Sequence, residues 1–172
     1  MSTSVRPRRS LLYMPGSNAR ALEKAKTLPA DGLILDLEDA VAPDAKALGR
    51  EQVCHAVKGG GYGGRELVIR INGLDTPWGK DDLAAAVAAK PDAVLVPKVE
   101  SAAQVQAVEA LLHTHHAPAE TTIWCMMETP LGILHAEAIA GASKRVACLV
   151  LGTSDLTKDL HARHTPLRLP ML

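Results

Sequence analysis

Six short apolar runs, each followed by a helix-length stretch, constrain this chain more than any other feature. They are Ser10–Met14, Leu33–Leu37, Leu67–Ile71, Ala93–Val96, Thr122–Met127 and Ala147–Leu151. Their apolar residues are continuous rather than alternating, which marks strands covered on both faces. The intervening stretches carry helix-start signals. Ser101 with Gln104 reads as a capping box, ahead of an apolar stripe at Val105, Val108 and Leu112. Thr129-Pro130 reads as a cap plus first-turn proline, with Leu131, Leu134 and Ala138 on one face, and Thr76-Pro77 repeats the device. Ser17 or Asn18 can cap a helix carrying Leu22, Ala25 and Leu28, and Asp44 can start one carrying Val53 and Val57. Strands alternating with helices give right-handed βαβ units and a parallel sheet.

Composition narrows the class further. The 172 residues fit one domain, with residues 1–172 forming a single unit. Lys plus Arg and Asp plus Glu both number 19, so the formal charge is zero, which speaks against nucleic-acid or anionic-membrane partners. Phe is absent, with two Trp and two Tyr, so Ala, Val, Leu and Ile must fill the core. No apolar run approaches the roughly 18 residues of a membrane helix. The polar, basic stretch Met1–Ser10 has no secretory core behind it, so a cytoplasmic location is expected. Cys54, Cys125 and Cys148 are odd in number, widely spaced and in apolar contexts, as reduced buried thiols would be.

Two parallel architectures compete. A doubly wound sheet often carries a glycine-rich first turn. Here that turn is Pro15-Gly16-Ser17-Asn18, and the cluster Gly59-Gly60-Gly61-Tyr62-Gly63-Gly64 precedes a strand, as a loop would. A (β/α)₈ barrel instead collects polar residues at the C-terminal end of every strand. The six ends read Pro15-Gly16-Ser17, Asp36-Leu37-Glu38-Asp39, Arg70-Ile71-Asn72, Pro97-Lys98-Val99-Glu100, Glu128-Thr129-Pro130 and Gly152-Thr153-Ser154-Asp155. The expected fold is an α/β (β/α)₈ TIM-barrel type, incomplete, with six βα units; the last two units of a barrel of about 250 residues are expected to be missing.

The rim carries candidate chemistry. Glu128 and Asp155 end adjacent runs, and neighbouring strands lie about 4.8 Å apart, so the two carboxylates can share a hard cation such as Mg²⁺. The alternative is an N-cap for Asp155 and a solvated Glu128. Arg70 lies inside an apolar strand and needs an anionic partner: Asp36, Glu38, Asp39 or a substrate oxygen. A structural ion pair with Asp39 is compatible with both roles. Lys98 reads as an anion contact, kept charged by Glu100, with Schiff-base chemistry as the alternative. Arg20 and Lys24, four apart on the first helix, form either a phosphate contact or a solvated face. His113-Thr114-His115-His116 reads as a helix ending away from the rim.

The blocks Arg9–Ser17, Leu33–Val41, Val68–Gly73, Val96–Ser101, Glu128–Gly132 and Leu151–Leu156 resemble the HpcH/HpaI aldolase/citrate lyase superfamily, closest to its citrate lyase beta-subunit-like acyl-CoA lyases. The resemblance implies a barrel that breaks or joins carbon–carbon bonds beside a CoA thioester. It implies Mg²⁺ held by Glu128 and Asp155, catalytic roles for Arg70 and Asp39, and CoA or substrate contacts from Arg20, Lys24, Lys98 and Arg70. Expected substrates are a citryl-, malyl- or citramalyl-CoA, split into an acyl-CoA and a small keto acid. A homo-oligomer is expected, trimeric or hexameric as in full-length relatives. Two alternatives stand beside this: a catalytically inactive truncated barrel, and a CoA-independent pyruvate-type aldolase of the same superfamily.

Overall fold

A computed structural model of the chain describes residues 6–172; the expectation for Met1–Ser10 lies outside it as far as Val5. Six parallel strands form one sheet in sequential order: β1 (Leu11–Pro15), β2 (Gly32–Asp36), β3 (Glu66–Arg70), β4 (Ala93–Val96), β5 (Thr122–Met127) and β6 (Val146–Leu151). Between and after them run α1 (Ala19–Ala25), α2 (Lys46–Gly59), α3 (Gly79–Ala89), α4 (Ala102–Thr114), α5 (Pro130–Leu134), α6 (Ala136–Ala140) and α7 (Thr153–Asp159). Sequential parallel order is barrel topology; a doubly wound sheet would reverse at a switch point. Among the described residues the sheet ends at β1 and β6, so the barrel is not closed.

The continuous apolar runs have the cause expected of them. Alternate strand residues Leu33, Leu35, Ile69, Val94, Val96, Ile123 and Cys125 pack outward against Leu22, Val53, Leu83, Val105, Val108 and Leu112 of the helices. The residues between them, Ile34, Val68, Ala93, Leu95, Trp124 and Met126, make a separate inner cluster. Burial of each large aliphatic side chain stabilises by about 1.5–3 kcal/mol. In a chain without Phe, Trp124 fills the interior, and the Arg8 guanidinium sits 4.9 Å from its ring centroid. Arg8 also bonds the buried Glu66 through two nitrogens, 2.7 and 2.8 Å, which ties off the end opposite the strand tips.

The helix signals hold in most places. Asn18 caps α1 by accepting from the Ala21 N–H, and Ser101 with Gln104 forms the full capping box of α4. Thr129 caps α5, but that helix ends at Leu134, and Leu131 and Leu134 are exposed rather than forming a buried face. Thr76 accepts from Gly79 N–H yet does not cap: α3 begins at Gly79 with Trp78 at its cap position. Gly59 ends α2, and residues 60–64 form the expected loop, with Gly60, Gly61 and Gly63 at positive φ. His113 is in the last turn of α4, and the exposed His115 and His116 follow it. The three cysteines are free; Cys125 is buried, and Cys54 and Cys148 are half-buried. Among the described residues no helix is long and apolar enough to cross a membrane.

Candidate functional site

The C-terminal tips of β2 to β6 converge on one mouth. The parallel register sets Asp36 beside Arg70, each the last residue of its strand and both facing inward. Asp36 accepts from Arg70 Nε at 2.7 Å and Nη2 at 2.6 Å, a bidentate pair whose side chains are only 2 % and 6 % exposed. Arg70 Nη1 also reaches Glu38 at 2.9 Å and Asp39 at 3.4 Å. The Tyr13 ring lies 5.4 Å from the guanidinium carbon. Burial works against the arginine's charge, and the bond to Asp36 and the charges of Asp36, Glu38 and Asp39 outweigh it, so the group stays above its ordinary pKa.

The principal partner of Arg70 is therefore Asp36, not Asp39. Asp39 is the outlying acid of the quartet, 61 % exposed at the mouth. The signal for Asp36 was available: a charged residue at the same height on two neighbouring parallel strands, with one alternation phase, must meet its opposite. The turn that delivers these acids is itself clamped. Lys46 at the start of α2 spends all three ammonium protons on Leu37 O at 2.8 Å, Glu38 O at 2.7 Å and Asn72 Oδ1 at 2.8 Å. Asn72 in turn donates to Leu37 O and to Asp82, which Arg50 pairs at 2.7 Å. The sequence placed Asn72 on the rim but gave Lys46 and Asp82 no role.

Glu128 follows β5 directly and is buried. Its Oε1 accepts from the Lys98 backbone N–H at 2.8 Å. Its carboxylate lies against Gly152, where an added Cβ would stand 2.6 Å from Oε2 and 2.5 Å from the Glu128 Cβ. A side chain at that position would have to displace Glu128. Burial raises the Glu128 carboxyl above its usual value, so it is a carboxylate short of positive charge. Asp155 sits in the first turn of α7, whose cap position is Gly152, so it is not the N-cap. Its Oδ2 takes the Lys98 ammonium at 3.1 Å.

Lys98 is the hinge of the mouth. Its ammonium bridges Asp155 and Glu38 Oε1, the latter at 3.0 Å. Burial works against its charge, but the bonds to Glu38 and Asp155 hold its pKa above the ordinary value. Those two acids, not Glu100, keep it charged. An unbroken run of contacts thus links Arg70, Glu38, Lys98 and Asp155, with Glu128 joined through the Lys98 amide. Arg20 and Lys24 are exposed on α1, and neither forms an ion pair among the described residues.

The donor set suits a small hard cation. Among the described residues there is no group of three or more His, Cys, Asp or Glu able to hold a metal. Two carboxylates on adjacent units, one of them buried and bonded through a single oxygen to an amide, match an ion that takes one or two protein carboxylates and completes its shell with water and substrate oxygens. A cleft of about 690 Å³ is lined in part by Glu38, Gly73, Thr76, Lys98, Gln104 and Thr129, but by neither of the two carboxylates.

The sequence matches the HpcH/HpaI aldolase/citrate lyase family over residues 9–170. It is 47 % identical over 171 residues to a (3S)-malyl-CoA thioesterase of Cereibacter sphaeroides, covering 99 % of this chain and 58 % of that protein. It is 38 % identical over 166 residues to citrate lyase subunit beta of Escherichia coli, covering 94 % of this chain and 55 % of the subunit. The fold superposes on Mycobacterium tuberculosis CitE, solved in complex with magnesium, acetoacetate and coenzyme A, with a TM-score of 0.69 and 28 % identity over 92 % of this chain and 54 % of that one. The chain thus spans little more than half the length of these relatives. A sequential parallel sheet, an acid-and-arginine mouth at its strand tips and a match across almost the whole sequence agree: the chain belongs to the HpcH/HpaI aldolase/citrate lyase family.

Proposed function

We propose that this chain carries the Mg²⁺ and substrate site of an acyl-CoA lyase acting on a 3-hydroxyacyl-CoA with a carboxylate beside its hydroxyl. The observation that carries the reading is the run of contacts joining Arg70, Lys98, Asp155 and Glu128 at one mouth. Glu128 and Asp155 hold the cation, which when bound polarises the oxygens of the hydroxy acid or keto acid as a Lewis acid. Arg70 is fixed by Asp36, and its outer edge, which meets Glu38 and Asp39 here, would turn from those two acids to the thioester oxygen and stabilise the enolate as the carbon–carbon bond breaks. Asp39, open to solvent beside Arg70, orients the guanidinium from the mouth side. Arg20 and Lys24 on α1 take the CoA phosphates, and Lys98 lends charge to the bound anion.

Magnesium and coenzyme A in the CitE complex support the choice of ion and thioester. A second reading has its own support: the relative at 47 % identity is named a thioesterase, so the same mouth would direct water at malyl-CoA. Incubation with malyl-, citramalyl- and citryl-CoA separates them. Cleavage releases a keto acid and acyl-CoA; hydrolysis releases free CoA and the hydroxy acid. Glu128→Gln and Asp155→Asn should each remove either activity. No turnover of any of the three, with Mg²⁺ present, would leave the inactive-barrel alternative.

A further inference from the structure

One residue touches both proposed cation ligands. Lys98 follows the β4 tip and adopts φ 47°, the left-handed region that non-glycine residues seldom occupy. That backbone turn aims its N–H at Glu128 and lets its side chain cross to Asp155 and Glu38. The mouth as a whole is acidic: among the described residues Asp36, Glu38, Asp39 and Asp155 form ion pairs only with Arg70 and Lys98, Glu128 takes the Lys98 amide, and the nearby Lys46 ammonium is bonded to Leu37 O, Glu38 O and Asn72. The Arg70 guanidinium is locked below the rim by Asp36. Lys98 is the less buried charge of the pair, with its side chain 48 % exposed on a four-carbon stem.

We propose that the Lys98 ammonium is the built-in counter-cation of the site: it neutralises Asp155 when no divalent ion is bound, and it leaves Asp155 for Glu38 when that carboxylate becomes a ligand. An ammonium and a divalent ion cannot share the inner oxygens of one aspartate without strong like-charge repulsion. Glu38 already accepts the ammonium, so the displaced charge has a seat beside Arg70. The Lys98 amide stays on Glu128 throughout, because that bond depends on the backbone and not on the side chain. Ion uptake thereby moves a positive charge toward the arginine that receives the substrate. The inference rests on Glu128 and Asp155 being the ion's ligands, and goes beyond it by naming what occupies Asp155 before the ion does.

The test is Mg²⁺ titration by calorimetry of the chain and of Lys98→Met, which keeps the stem and removes the charge. Lys158→Met serves as the field control, since it removes a charge from α7 three residues beyond Asp155, and Lys158 forms no ion pair among the described residues. The expected result is that Lys98→Met binds Mg²⁺ about ten-fold more tightly while Lys158→Met changes affinity by less than about two-fold. In chain whose lysines carry ¹³C-methyl groups, which keep their charge, the Lys98 resonance should shift with the same midpoint as the calorimetric titration. A Lys158→Met gain equal to that of Lys98→Met would overturn the proposal, as would Mg²⁺ binding with the Lys98 resonance stationary; either leaves the ligand assignment standing. Absence of Mg²⁺ binding in every form would overturn both.

Discussion

Replacing Arg70 by methionine should destabilise the fold by about 3 kcal/mol. The change keeps most of the stem and strips the buried Asp36 of its bidentate partner. Removing one member of a buried pair typically costs about 3–5 kcal/mol, because the other charge is left without compensation. Asp36 would retain two backbone donors, Glu38 N–H at 2.8 Å and Ala40 N–H at 3.2 Å, which places the loss at the lower end. Against a total stability of about 5–15 kcal/mol, that is a large fraction. Urea unfolding followed by circular dichroism measures it, with the midpoint falling and the slope unchanged. The double variant Arg70→Met, Asp36→Asn should recover at least about 1 kcal/mol relative to the additive sum, since the two residues act as one unit. A loss below about 1 kcal/mol for Arg70→Met, or strict additivity in the double variant, would refute the account of how the arginine is held.

Three further outcomes follow from the geometry. Gly152→Ala should cost about 1–3 kcal/mol by overpacking and weaken Mg²⁺ binding, because its methyl would displace the Glu128 carboxylate; thermal unfolding and calorimetry with and without Mg²⁺ read both effects. Burial pushes the Cys125 thiol up to about 12 and raises the half-buried Cys54 and Cys148 less, so at pH 8 Cys125 should label with iodoacetamide more slowly than either, which peptide mass spectrometry resolves; equal labelling rates for all three would contradict the packing. Burial also raises the Glu38 carboxyl, so the folded state holds more protons than the unfolded one just above about pH 4.5, and stability from this group falls as pH rises through that window. Glu38→Gln should flatten the part of the Tm profile just above about pH 4.5, recorded in chelator.

Much of this fold is legible in the sequence because a strand covered on both faces leaves an unbroken apolar run, and six such runs were there to be read. Local chemistry was equally plain where one side chain decides it, as at Asn18 and the Ser101–Gln104 box. What depended on register was harder. Asp36 meets Arg70 only because β2 and β3 pair in one particular offset, and Lys98 finds Asp155 across two strands rather than its sequence neighbour Glu100. The stripe Leu131, Leu134, Ala138 had helical spacing, but α5 stops at Leu134, so the periodicity did not become a buried face. The Lys46 clamp reads as an ordinary helix lysine until three backbone and amide acceptors are seen around it.

The central claim is that one cation is held between the acid after β5 and the acid that opens α7. Crystals of the chain grown with Mn²⁺ in place of Mg²⁺ and with oxaloacetate test it most directly, because manganese gives an anomalous peak. The account predicts a single strong peak at the mouth, bonded at about 2.0–2.2 Å to one oxygen each of Glu128 and Asp155, with Arg70 facing the same ligand. A peak away from these two carboxylates, or bonded to only one of them with the other still gripping Lys98, would contradict it.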